Sequence, residues 1–243
     1  MFATSASRLL RVWEEQQRAH PVRRALALLA DSCAAPDGAP WQHAPIGTRD
    51  DALLHLHEHL FGGDLRTTVR CPQCDERLES EFSVDQIRGD PPAATGDFQL
   101  RWCDYAIDYR LPTSADLLDV LEHAGADDPA RQLLHRCVSR VRHGDDEIEP
   151  ASLPDELVAS LDAEMALRDP GADVRTAVSC PACGAHWQSH FDVVYYLWSE
   201  FDDWALRALA DVHALARAYG WSEDAILALS PTRRQIYLDM VGA

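Results

Sequence analysis

Two stretches, "VRCPQCDERLESEFSV" (69–84) and "VSCPACGAHWQSHFDV" (178–193), repeat one pattern 109 positions apart. Aligned without gaps, residues 65–84 and 174–193 share nine of twenty positions, including every residue that defines the two Cys-Pro-x-Cys tetrads. Each copy follows an amphipathic helical pattern, "DDALLHLHEHL" before the first and "DELVASLDAEM" before the second. Alternating segments flank each tetrad. The repeating unit therefore reads helix, strand, knuckle, strand, a supersecondary unit used twice.

A Cys-x-x-Cys turn aims two sulfurs at one ion and supplies half of a tetrahedral site. Cys71, Cys74, Cys180 and Cys183 together make a complete four-sulfur set, so the expectation is one structural Zn2+ per chain, shared by the two halves about a pseudo-twofold axis. The long separation is a weak objection. Loop-closure cost rises by only about 0.6 kcal/mol per doubling of length, whereas structural zinc contributes on the order of 10 kcal/mol or more. Three other readings compete. A glutaredoxin-like thiol needs a helix after the first cysteine, but "RLESEFSV" and "HWQSHFDV" alternate as strands. Two separate sites would need local ligands; His186 and His190 flank the second knuckle, but Arg77 and Glu81 stand at the aligned positions. Motifs that bind nothing fit poorly with four intact cysteines.

Cys33, Cys103 and Cys137 lie in apolar patterns and read as inert core residues. His55 and His59 share one helical face in "HLHEHL", yet Phe61 stands where H-E-x-x-H needs its second histidine, so an exposed histidine-rich helix is expected. No G-x-S-x-G, phosphate-cradling loop or G-x-G-x-x-G occurs. Nothing supports an enzyme. With 22 arginines against 40 acidic residues the net charge is −18, which argues against binding nucleic acid, where affinity rests on basic side chains. No stretch approaches the roughly 20 apolar residues of a membrane span. The N-terminus does not read as a secretory signal, so the chain is expected in the cytoplasm during assembly.

The predicted fold class is α+β: two pseudo-repeated helix–β-hairpin zinc-knuckle halves sharing one four-cysteine site, with additional N- and C-terminal helices. Residues 1–45 form N-terminal helices (5–18 and 21–34) and a loop; Leu9, Leu10 and Trp13 mark one face, Leu26, Leu29 and Cys33 another. Residues 46–112 form the first half, with a helix capped by Thr48 and a following hairpin over 98–112. A helical connector spans 113–152, with helices at 114–123 and 129–141 and an acidic loop, "HGDDEIEP". The second half is 153–193. A C-terminal helical segment spans 194–243, where an apolar stripe from Val194 to Tyr219 predicts seven turns of helix. Trp198, Phe201, Trp204, Tyr219 and Trp221 are its candidate partner-binding residues.

The order "IGTRDDALLHLHEHLFGGDLRTTVRCPQCDERLESEFSV", "YRLPTSADL" and the tract from "CPACGAHW" to "LARAYGWSEDAILALSPTRRQIYLDMV" resembles a phage baseplate protein family of contractile phage tails and extracellular contractile injection systems. The resemblance covers about 46–243 and is most specific in the C-terminal tract. It implies a structural or assembly role without catalysis, other baseplate, spike or tube proteins as partners, and residence in a released contractile particle. A zinc-ribbon adaptor binding nucleic acid or the transcription machinery is the alternative, which the charge disfavours.

Overall fold

A computed structural model describes residues 5–35, 38–88, 96–123 and 128–242. The chain divides into two compact units, Ala35–Val193 and a terminal unit of Met1–Ala34 with Val194–Ala243. Local chemistry starts the first helices. The Ser5 hydroxyl accepts the Arg8 N–H at the head of α1 (Ala6–Gln16), and α2 (Pro21–Ser32) opens on the one helical position that suits proline. Helix α2 buries Val22, Ala25, Leu28, Leu29 and Ser32. The expected Leu26–Leu29–Cys33 face is thus rotated: Leu26 and Cys33 lie half-buried on its flank, because Val22 and Ala25 extend the stripe on the other side.

In the middle unit, the expected Pro/Gly/Ala loop contains a 3-10 turn at Trp41–His43 that buries Trp41; Pro36 and Asp37 lie outside the described residues. Helix α3 (Ile46–Phe61) begins two residues before Thr48, which caps nothing. Distant groups take its first donors instead. The Ile46 N–H bonds the Pro112 carbonyl at 3.1 Å, and the Gly47 N–H bonds the Asp169 carboxylate at 2.9 Å. Asp169 is only 3% exposed. Burial pushes its carboxyl above the ordinary range, and the Gly47 N–H works against that shift. One turn further, buried Arg49 is held by the Asp50 carboxylate at 2.7 Å and the Ser114 hydroxyl at 3.1 Å, as a buried cation requires.

Strands β1 (Asp64–Arg70) and β2 (Arg77–Ser83) form an antiparallel hairpin, followed by the single turn α4 (Val84–Ile87). The stretch "GDPPAATGD" (89–97) reads in the sequence as a linker or long turn, and most of it lies outside the described residues. Strands β3 (Asp97–Trp102) and β4 (Tyr105–Arg110) make the second hairpin, and α5 (Ser114–Glu122) and α6 (Pro129–Cys137) follow. The helix expected to reach 141 stops at Cys137, and β5 (Val138–His143) takes over. Val138 and Val141 have helical spacing, yet a bulge explains why both face the core. Tyr109 pairs with Val138 and Asp108 with Arg140, leaving Ser139 extra. The acidic loop contains a short strand, β6 (Asp146–Ile148). The four strands order β3-β4-β5-β6. Ile107, Tyr109, Val138 and Val141 pack with Leu134 of α6 and with Leu157, Leu161 and Met165 of α7 (Asp155–Arg168) in one core. Strands β7 (Arg175–Ser179) and β8 (His186–His190) close the unit.

The C-terminal elements are α8 (Val193–Tyr219), α9 (Glu223–Leu227) and α10 (Pro231–Gly242). The stripe on α8 packs in the terminal unit: Ala205 and Ala208 meet Leu10 of α1 and Leu227 of α9, and the Trp13 indole donates to Asp202 at 2.7 Å. Among the described residues no helix is long and apolar enough to cross a membrane.

A Cβ added at Gly47 would collide with the Asp169 carboxylate and lie 3.0 Å from the Ala172 amide nitrogen. Gly47→Ala is therefore expected to cost about 1–3 kcal/mol. Gly63→Ala, where the nearest atom is 3.8 Å away, should stay within about 0.5 kcal/mol. Urea unfolding of the two variants checks the contrast.

Candidate metal centre

Each knuckle is a turn closed by the same two backbone bonds. In the first, the Cys71 N–H donates to the Glu76 carbonyl at 2.9 Å and the Asp75 N–H donates to the Cys71 carbonyl at 3.0 Å. In the second, the Cys180 N–H reaches the Ala185 carbonyl at 2.8 Å and the Gly184 N–H reaches the Cys180 carbonyl at 2.9 Å. The residue after the second cysteine is left-handed in both, with φ 59° at Asp75 and 75° at Gly184. The flanking registers also correspond: Arg70 faces Arg77, and Ser179 faces His186.

The fold brings the two turns together. Cys71 Sγ lies 3.5 Å from Cys183 Sγ, Cys74 Sγ lies 3.6 Å from Cys180 Sγ, and all four sulfurs fall within 4.8 Å of one another. A tetrahedral ion with bonds of about 2.3 Å to sulfur has edges near ~3.8 Å, so the spacing suits one ion. Among the described residues this is the one such group of His, Cys, Asp or Glu side chains. Cys71 and Cys180 are buried, while Cys74 and Cys183 reach the surface. Leu78, Val178, Val69, Ala185 and Trp187 pack beneath them. Farther along the hairpins Phe82 and Phe191 meet edge to face at 5.5 Å.

Electrostatics distinguish Cys71, Cys74 and Cys183. Burial acts to raise Cys71, but the N–H groups of Cys74 and Gln73 outweigh it and bring the thiol down to about 7. The Glu76 N–H favours the Cys74 thiolate, yet the neighbouring sulfurs and burial push it up to about 12. At Cys183 the Ala185 N–H likewise favours the anion, and burial with two neighbouring sulfurs prevails in the raising direction. One thiolate makes the next costly; a cation at the centre would reverse that.

The competing ligands go elsewhere. His186 Nδ1 lies 2.7 Å from the Ser179 hydroxyl, and exposed His190 faces Asp173 at 3.7 Å. No helix follows either first cysteine, as a glutaredoxin-like site would need. On α3 the histidine-rich face is not wholly exposed. His57 is 2% exposed and lies edge-on to Phe61 at 5.5 Å, in line with buried Leu53 and Leu54. His55 instead bonds the Asp51 carbonyl one turn back. Of the three other cysteines, Cys137 is buried and Cys33 half-buried, but Cys103 is exposed. It is the first residue of the two-residue β3–β4 turn, with φ 50°, which takes it off the core face.

The candidate partner residues separate into two groups. Trp198 is buried beneath the Arg24 guanidinium, 4.6 Å from its ring, and Phe201 is fully buried between Trp198 and Trp204. Both are buried, whereas Trp204 is half-buried. Tyr219 is exposed, stacked on half-buried Trp221 at 4.7 Å, and Tyr237 meets both rings. The buried Arg49–Asp50–Ser114 set and the Gly47–Asp169 contact have no local signature in the sequence, because their partners lie 65 and 122 positions away.

A mixed helix-and-sheet chain whose two Cys-x-x-Cys turns converge is the class that these features define. The chain matches the family described as T4 bacteriophage base plate protein over residues 2–196, and it belongs to that family. No curated protein and no solved structure matches it. The match includes the N-terminal helices, which the resemblance over 46–243 left out, and ends in the first turn of α8. All four cysteines fall within it.

Gly184→Val puts a β-branched residue at φ 75° and is expected to destabilise by about 1–3 kcal/mol. Asp75→Gly should be neutral within about 0.5 kcal/mol, because relief of the left-handed strain offsets loss of the exposed Arg70–Asp75 ion pair. Denaturant midpoints of the two variants separate these outcomes.

Proposed function

We propose that this chain is a non-enzymatic structural or assembly protein of the baseplate of a contractile injection system or phage tail, stabilised by one structural zinc. Membership in the base plate family carries the baseplate role. The single observation that carries the metal is the convergence of Cys71, Cys74, Cys180 and Cys183 from two knuckles. Four thiolates in a closed set select zinc among common divalent ions, and a set with no open position suits structure rather than catalysis. On this reading 46–112 and 153–193 are pseudo-repeated halves, 113–152 connects them, and 1–45 with 194–243 supplies the helices. The partners are other baseplate, spike or tube proteins. The chain works in the cytoplasm during assembly and then in a released particle.

Elemental analysis of the purified full chain should give about one zinc per chain. Cys71→Ser and Cys180→Ser should each lose nearly all of it, because both halves serve one ion. Retention of about half the metal in each single variant would instead establish two sites.

A strain lacking the gene should fail to assemble baseplates, and electron microscopy of lysates reads this directly. Normal baseplates and sheaths from that strain would remove the assembly role.

A further inference from the structure

Beside the knuckles, a cleft of about 610 Å³ opens between α6, α7 and the start of β7, with Leu133, Leu134, Met165 and Val174 in its wall. A second depression of about 400 Å³ shares Gln86, Ile87 and Arg175 with it and continues between residues 80–82 of β2 and 175–178 of β7. Among the described residues each of these strands has a ladder partner on one side only, β2 with β1 and β7 with β8. The combined groove is therefore apolar at one end and bordered at the other by two strands that each keep an unpaired edge among those residues, features that extended peptides use.

Its charge is one-sided. Asp162, Asp169 and Asp173 line the cleft, and Glu81 lines its extension. Arg175 is the cation lining it, held by Asp173 at 2.6 Å, and Arg66 of β1 holds Glu81 at 3.1 Å. Asp169 is buried with its carboxylate turned to Gly47 of α3, so the accessible carboxylates of the cleft are Asp162 and Asp173. The middle unit as a whole carries 30 acidic residues and 13 arginines, a net −17, whereas the terminal unit carries 10 and 9, a net −1. A field of this sign draws in basic partners and repels acidic ones. A second copy of this chain would bring another −18 to the contact.

We propose that this groove seats an extended, apolar and positively charged segment of a neighbouring baseplate protein. Its apolar side chains fill the cleft, its backbone lies along the edges of β2 and β7, and its basic group faces the carboxylates. The inference rests on the baseplate reading above and adds the chemistry of the partner.

A photo-cross-linking amino acid at Ala130, on the cleft wall, placed in the full chain and activated in cells assembling particles, reads the occupant by peptide mapping. The expected adduct lies on one segment of another baseplate protein, apolar and net positive. Adducts only between copies of this chain, adducts on acidic segments, or none at all would overturn it. Adding Leu133→Arg should lower the adduct at least tenfold, while Leu133→Met preserves it and both retain metal content and melting temperature. Should Leu133→Arg fold poorly, Asp162→Arg on the exposed rim provides the same repulsion without touching the core. Undiminished adducts in both arginine variants sink the groove alone; normal baseplates without the gene sink the functional reading itself.

Discussion

Charge repulsion among four thiols is the constraint on which the middle unit turns. With every sulfur inside 4.8 Å of the others, ionising the first raises the cost of the second: backbone N–H groups bring Cys71 down to about 7, while neighbouring sulfurs and burial push Cys74 up to about 12. The knuckle backbones supply N–H groups that favour thiolates, so each turn is prepared for a charge that the set cannot carry unaided. A divalent ion at the centre would resolve the conflict and would release protons on binding.

The closure does not depend on the sulfurs alone. Between Cys74 and Cys180 lies a sheet and helix assembly with its own core, from Ile107 to Met165. That core shortens the effective loop, since an ordered module carries the chain most of the way back. Two buried polar contacts then tie α3 to later elements: Asp169, beyond α7, holds its first turn, and Arg49 reaches Ser114 of α5. Losing either would leave a desolvated polar group without compensation, so these contacts fix orientation more than they add net stability.

The features legible in the sequence are those that local chemistry decides. The tetrads, the alternating strands around them, the Ser222 and Ser230 caps and the long stripe of α8 all declare themselves within a few residues. The errors share one cause, which is tertiary context. Val138 and Val141 are spaced as in a helix, and only pairing with β4 across a bulge makes them a strand. Thr48 looks like a cap because the real partners of that helix end, Pro112 and Asp169, are far off in sequence. Trp198 and Phe201 look like anchors for a partner until the Arg24 guanidinium is seen on one ring and neighbouring rings enclose the other. Cys103 falls in an apolar pattern, yet it turns a hairpin.

The proposed repeat also explains where the halves part company. Val84 and Val193, 109 positions apart, each begin a helix after the second strand of a knuckle hairpin, Val84 directly after β2 and Val193 after a two-residue gap beyond β8. The first helix lasts one turn, because "VDQIRGDPP" offers no apolar stripe and soon meets glycine and two prolines. The second runs through 27 residues, since every third or fourth position after Val193 is apolar. A single helix-start signal thus leads to one turn in one copy and to the longest helix among the described residues in the other. The residues downstream of the shared unit, and not the unit itself, direct one half toward the sheet and let the other build a nearly neutral helical unit from the chain's two ends.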